Sequence, residues 1–175
     1  DPISLKVKSQ YEQNPYPRWV NTSVSYKNIT IADIIDASKL RLIDHKVKFN
    51  NSPKILVAGC GTGQEIISLA SGLKNSSILG IDLSLTSLSY AKRKTSEPGI
   101  NNINYMQADI LELNKLDQKF DIVQSSGVLH HLKEPKQGWR VLTNLVKVGG
   151  LMYISLYSKY ARENITKIRE DIANK

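Results

Sequence analysis

The chain has 175 residues, 41% of them hydrophobic and 23% charged, with a net charge of +8 at pH 7. That is room for one domain with a real core and an ordinary globular composition. It excludes a membrane-inserted protein, because no apolar run approaches the about 18 residues that a spanning helix needs, and no secretory apolar region opens the chain.

The first segment of note is Tyr11-Glu-Gln-Asn-Pro-Tyr-Pro-Arg-Trp19, with three aromatics, two prolines and an arginine in nine residues. Proline fixes its own φ and pushes the preceding residue extended, so a stiff extended segment is expected here. Thr30-Ile-Ala-Asp33 has the form of a capping box opening a helix that carries Ile31, Ile34 and Ile35.

Ile55 to Ala58 is a short apolar run that leads straight into Gly59, Gly61 and Gly63, and a helical pattern with Ile66, Ile67, Leu69 and Ala70 follows. A buried strand turning through glycines into a helix is where α/β proteins bring bare backbone against a nucleotide-like ligand. A tight turn without ligand is the plainer alternative. The dinucleotide spacing Gly-x-Gly-x-x-Gly is not met, since Gln64 and Ile66 stand where its third glycine belongs. Glu65, at the helix start, suits the helix dipole and competes with a pyrophosphate for it. The loop therefore fits an adenosine ligand lacking a pyrophosphate. No Gly-Lys-Ser/Thr closes it as a Walker A loop. Cys60 lies within the turn, where its small size explains it. As the only cysteine it can form no internal disulfide, which fits a reducing cytoplasm.

Ser77 to Ile81 forms a second apolar run ending in Asp82, 19 residues beyond Gly63. That is close to the spacing at which an acidic residue closing the second strand meets a ribose, and a carboxylate can accept both ribose hydroxyl protons. Alternatively, Asp82 or Ser84 caps the helix expected over Leu85–Lys94. Lys92-Arg93-Lys94 ends that helix, where cations suit the dipole. The other basic residues are spread along the chain, and no basic stripe with interleaved aromatics marks a nucleic-acid surface. A third run, Ile103–Gln107, leads to Asp109, which can accept a hydrogen bond from an adenine amino group. A fourth run, Phe120–Ser125, leads to Gly127 and the pair His130-His131. That pair reads either as packing at a helix entry or as the source of a general base. Three histidines and one cysteine do not compose a metal site. A helix is expected from about Pro135 to Lys147, closed by Val148-Gly149-Gly150. A fifth run, Leu151–Leu156, then precedes a polar helical tail from Tyr160 to Asn174.

Taken together, the blocks ILVAGCGTGQE, ILGIDLS, MQADIL, FDIVQSSGVLHHL and LVKVGGLMYISLY resemble those of class I S-adenosylmethionine-dependent methyltransferases, in that family's order, over residues 54–157. The resemblance implies an α/β fold, a Rossmann-like doubly wound parallel sheet, with S-adenosyl-L-methionine as cofactor. Gly59, Gly61 and Gly63, with Cys60 between them, would face the methionine part. Asp82 would hold the ribose, Leu83 and Ile110 would flank the adenine, and Asp109 would contact its amino group. Near Ser125 the fourth strand would offer backbone to the methionine amine. Two departures stand out. Val57 occupies a position that is acidic in many members. The Asn/Asp-Pro-Pro-Tyr/Phe signature of base and glutamine methylases is absent, which counts against nucleic acid as acceptor.

The Tyr11–Trp19 box is similar to one in bacterial methyltransferases that often carry tetratricopeptide repeats. It also resembles rickettsial-type lysine methyltransferases acting on outer-membrane proteins, as does LYSKYAR at 156–162. The resemblance implies that the box folds over the cofactor pocket, with Arg18 pairing the methionine carboxylate and Tyr11 or Trp19 walling the site. An arm packed on the domain by its aromatics is the alternative. The expected organisation is an N-terminal arm and helix over residues 1–52, a cofactor-binding core over 53–157, and a C-terminal helix over 158–175. Family members usually have two further strands, and the chain opens Asp-Pro, so it reads as part of a longer protein cut after the fifth strand. The acceptor is expected to be a protein lysine or a small metabolite. A cofactor-binding scaffold without activity is a third reading. No residue presents itself as an obligatory catalytic base, and neither oligomeric state nor acceptor follows from the sequence.

Overall fold

The computed structural model describes residues 2–25, 27–158 and 160–173. Five strands build one sheet: β1 (Lys54–Ala58), β2 (Ser77–Asp82), β3 (Ile103–Gln107), β4 (Phe120–Ser126) and β5 (Val146–Ser155). Their order across the sheet is β3-β2-β1-β4-β5, and every neighbouring pair is parallel. The chain therefore starts in the centre, winds out to one edge, then crosses back to build the other half. In such sheets the crevice outside the carboxyl ends, where the winding reverses, is the ligand site. Here the reversal falls between β1 and β4.

Strand β1 is buried on both faces, as its unbroken apolar run requires. Its side chains alternate between two cores. Leu56 and Ala58 join Ile81, Phe120, Val123 and Leu142 on one face. Ile55 and Val57 join Ile66, Ile67, Ala70, Ile78 and Leu88 on the other. Helices α3 (Gln64–Gly72) and α4 (Leu85–Ser96) supply the second core, and α5 (Pro135–Asn144) supplies the first. Helix α2 (Ile31–Ala37) opens with the expected capping box, in which Thr30 and Asp33 satisfy each other's backbone donors. It buries Ile31 and Ile35 beside Val47.

Three expectations about the elements are corrected. Helix α5 stops at Asn144 rather than near Lys147, and the glycine pair lies inside β5 rather than ending a helix. Phe120 is opposite Val146 and Ile122 opposite Leu151, so Lys147–Gly150 bulge out against Asp121 alone. Gly149 has φ +76°, and a Cβ on Gly150 would sit 2.8 Å from the Asp121 carbonyl oxygen. The glycines thus serve a bulge, a device that needs one residue in a left-handed conformation and close backbone approach. Asp121 holds it, accepting from Lys147 Nζ and from the Lys54 N–H, both at 2.8 Å.

The second correction is at the N-terminus. Helix α1 (Pro2–Gln13) takes in Tyr11, Glu12 and Gln13, and the irregular stretch starts only at Asn14. Proline's steric effect reaches one residue back, to Asn14, and leaves Tyr11–Gln13 free to be helical. Third, the tail begins with a short 3-10 turn, Tyr160–Arg162, before α6 (Glu163–Ala173). Asn174 lies outside the described residues.

Candidate functional site

A cavity of about 520 Å³ opens at the carboxyl ends of the strands, within the range of small-molecule sites. Its floor is the glycine turn. The Gly59 and Cys60 N–H groups donate to the Ile81 carbonyl at 2.8 and 2.9 Å, which ties β1's end to β2's. All three alternate glycines have positive φ. What a Cβ would first meet, however, is protein. At Gly61 it would lie 2.5 Å from the Tyr16 carbonyl oxygen, at Gly59 it would overlap the Val128 side chain, and at Gly63 it would press on Ala91. Gly59, Cys60 and Gly61 line the cavity. Gly63 does not. It is the N-cap of α3, packed on α4, so its expected place beside the methionine is corrected. Burial pushes the Cys60 thiol far above its ordinary range, which keeps it an unreactive part of the turn.

Asp82 ends β2 and lines the cavity. Its Oδ2 accepts from the Gly61 N–H at 2.8 Å and its Oδ1 from the Ser84 N–H at 2.9 Å. Ser84, not Asp82, caps α4, by accepting from the Ser87 N–H at 3.0 Å. Burial raises the Asp82 pKa, against the pull of its backbone donors. A carboxylate offers about four lone-pair sites, so two backbone bonds leave acceptor capacity for a ligand. Leu83, Ala108, Asp109 and Ile110 form the adjoining wall. Asp109 Oδ1 caps the turn Ile110–Lys115 by accepting from the Leu111 N–H at 2.9 Å.

The backbone contact expected near Ser125 concerns the end of β4, where Ser126 and Gly127 line the cavity, while the Ser125 side chain is buried at 1% exposure with an unpartnered hydroxyl. Strand β4 simply runs one residue further than the apolar run suggested.

The N-terminal box lies over the glycine turn. Tyr11, Tyr16 and Pro17 line the cavity, and Arg18 does not. Arg18 Nη2 donates to Asn14 Oδ1 at 3.3 Å, so the pairing expected of Arg18 with a ligand carboxylate is not prepared here. Trp19 also lies outside the lining and fastens the box. Its Nε1 donates to Thr62 Oγ1 at 2.9 Å, and that hydroxyl donates to the Pro17 carbonyl at 2.6 Å. The Thr62 N–H donates to the Tyr16 carbonyl at 3.3 Å. Glu12 fastens α1 in turn, accepting from the Leu85 and Thr86 N–H groups at 2.7 and 2.9 Å. The hydrogen bonds from Thr86, chiefly, hold its pKa down at about 2.

Several lining residues were not foreseen. His131 follows β4 and faces the cavity, where its Nε2 meets the Tyr11 hydroxyl at 3.3 Å. Burial, then the charge of Arg162, lowers its pKa, which favours the neutral, proton-accepting ring. His130 instead stacks on Tyr157, ring centroids 4.2 Å apart, with both ring nitrogens buried and unpartnered. The histidine pair thus divides between packing and site. The pair itself was a signal, but which ring faced inward depended on the turn Leu129–His131. Tyr157, beyond β5, and Glu65, on α3, also line the cavity. No lysine or arginine is among the described lining residues, although the whole chain carries +8.

An open parallel sheet with an acidic residue closing its second strand, and a glycine turn at its switch point, is the arrangement in which α/β domains bind nucleotide-like ligands. Residues 50–175 match the family model of the methyltransferase domain. The chain belongs to that family, an S-adenosylmethionine-dependent class with this Rossmann-like fold. It is 34% identical over 122 residues to an uncharacterised protein of Synechococcus sp., covering 69% of this chain and 29% of that one. It is 28% identical over 126 residues to a ubiquinone biosynthesis O-methyltransferase of Coxiella burnetii, covering 72% and 52%. Among solved structures it is similar to PKMT2 from Rickettsia typhi in complex with AdoHcy, with TM-score 0.65 and 28% identity over 71% of this chain and 25% of that one. The chain thus spans between about a quarter and a half of these relatives' lengths. Among the described residues, no helix is long and apolar enough to cross a membrane.

Proposed function

We propose that this chain binds S-adenosylmethionine in the cavity at the strand ends and transfers its methyl group to a protein lysine. The observation that carries the cofactor part is Asp82. It is a half-buried carboxylate at the end of β2, fixed by two backbone donors, with lone pairs to spare beside the apolar wall of Leu83, Ala108 and Ile110. That set suits a ribose joined to a purine. The acidic lining suits a ligand that carries positive charge. When bound, the cofactor supplies an electrophilic methyl on a sulfonium. The protein's part is positioning, exclusion of water and removal of a proton. The Tyr16-Pro17 segment covers the glycine turn at Gly61, and helix α1 walls the cavity through Ser4, Val7 and Tyr11. With β1 and β2 given to the cofactor, the ends of β4 and β5 remain for the acceptor. On that side His131, hydrogen-bonded to Tyr11, is the group that takes up the acceptor's proton.

Lysine is favoured by the Tyr11–Trp19 box and by the similarity to PKMT2. A small-metabolite acceptor is the second reading, favoured by the similarity to ubiquinone biosynthesis O-methyltransferases. A labelled-methyl assay with full-length protein on fractionated cell extract separates them. Label in protein fractions, recovered as methyllysine, is expected. Label confined to small-molecule fractions rejects the lysine reading, and failure to bind S-adenosylhomocysteine rejects both.

A further inference from the structure

The amino ends of β1, β4 and β5 lie on the face opposite the cavity, and large apolar side chains stand out from it. Val148, on the β5 bulge, is 105% exposed, Ile43 is 106% exposed and Phe49 75%. Exposed apolar residues scattered singly are ordinary. These three lie on two segments in contact. The Asp44 carboxylate is 3.1 Å from where a Cβ on Gly149 would stand. Val47, between Ile43 and Phe49 in the chain, belongs to the small core on which Leu151 of β5 packs.

The same segment is strongly basic. Residues 39–54 carry five cations and one carboxylate, half of the chain's net charge of +8. Lys48 pairs with Asp36, and Lys147 of the bulge pairs with Asp121. Lys39, Arg41 and Lys54 form no ion pair among the described residues, and the exposed Lys46 reaches Asp44 only at 3.9 Å. A second copy of the chain would bring the same positive charge to this face. An anionic bilayer suits both features, because its headgroups attract cations and its acyl boundary takes up projecting apolar side chains.

We propose that this face docks on the surface of a bilayer rich in anionic lipid, with Ile43, Phe49 and Val148 entering the headgroup region. The domain lies on the membrane without spanning it, and the cavity at the carboxyl ends of the strands faces away from the lipid.

Sedimentation of the full-length protein with vesicles tests the proposal. The probes are vesicles of phosphatidylcholine alone and of an equal mixture with phosphatidylglycerol. Binding is expected to the mixture only, and to be lost in about 1 M salt, where the screening length is about 3 Å. Arg41→Gln with Lys46→Gln is expected to weaken it about 30-fold, at about fivefold for each basic residue near an anionic surface. Ile43→Ser with Val148→Ser leaves the charge unchanged and is expected to weaken it about tenfold. Both double variants are expected to keep the wild-type melting temperature, since the replaced side chains are exposed. Wild-type protein that does not sediment with the mixed vesicles overturns the proposal. So does salt-sensitive binding that the serine variant retains in full, because that is attraction to any polyanion. A lowered melting temperature of the serine variant also overturns it, by showing the patch covered within the full-length chain.

Discussion

Asp82 joins three parts of the site with one carboxyl group: the glycine turn through Gly61, the start of α4 through Ser84, and the cavity. Asp82→Ala therefore removes the carboxylate proposed to hold the ribose and leaves the Gly61 and Ser84 N–H groups without it. S-adenosylhomocysteine affinity is expected to fall about 100-fold by calorimetry, the sum of two lost hydrogen bonds to a charge; an unchanged affinity would place the ribose elsewhere. Gly61 makes a different prediction. Its φ of +53° is left-handed and its Cβ position is occupied by the Tyr16 carbonyl. Gly61→Ala costs at least about 1–2 kcal/mol for the left-handed residue alone, and the clash lifts the N-terminal box off the turn. Thermal unfolding is expected to show the loss, and hydrogen exchange to show lost protection of Thr62. The sequence argument that glycine makes room for a ligand is thus amended: at Gly61 the room is taken first by the chain's own backbone.

Helix α1 is held as an element by its last turn. Ser4, Val7 and Tyr11 line the cavity, and Glu12 docks the helix on α4 by serving as a second cap for that helix's free N–H groups. Glu12→Ala removes a cap of about 1 kcal/mol. It is expected to speed exchange of the Leu85 and Thr86 amides and the release of bound S-adenosylhomocysteine, with the strand amides unchanged. The sign with pH follows from the depressed pKa. The Glu12 latch is fully present above its unfolded pKa near 4.5 and is lost as pH falls towards about 2. Bound protein near neutral pH therefore keeps α1 docked. The bulge in β5 is the element that pattern reading misplaced, because a glycine pair after a helical stretch signals a helix stop equally well.

Among the described residues the titratable groups with shifted pKa values oppose one another. His130 and His131 have lowered pKa values, from burial first. Their contribution to stability is present above the unfolded value near 6.5 and is lost as pH falls below it. Asp82 and Glu65 have raised pKa values, also from burial. Their folded forms hold protons more tightly, so their effect is to favour the fold at low pH and disfavour it as pH rises through the raised values. Near neutrality the histidines dominate, being the groups that titrate there. The melting temperature is expected to fall between pH 7.5 and 5.5. His130→Phe, which preserves the stack on Tyr157 and removes two unpartnered nitrogens, is expected to flatten that dependence without lowering stability at pH 7.5. A slope equal to wild type would assign the acid sensitivity to other groups.

Much of the sheet was legible in the sequence, because a strand buried on both faces must be a continuous apolar run and its turn into a helix must be glycine-rich. The runs at Ile55, Ser77, Ile103 and Phe120 became β1 to β4, and Asp82, Leu83, Asp109 and Ile110 came to line one cavity because each follows a parallel strand at the same end. Which side chain within a turn faces the ligand was not legible. Gly63 and Ser125 turned to the packing, Arg18 turned away, and His131, Tyr157 and Glu65 turned in. Those directions depend on where β4 ends, on how the box crosses Gly61, and on how α1 docks against α4. Each depends on contacts between residues 43 to 120 positions apart, which local pattern does not encode. The sequence by itself determined most of the strand runs and the placing of Asp82 and Asp109 just where two of them end, since both follow from hydrophobic period and spacing. Only the tertiary structure decided how the N-terminal box covers Gly61 and which histidine faces the cavity, since each is a meeting of distant segments.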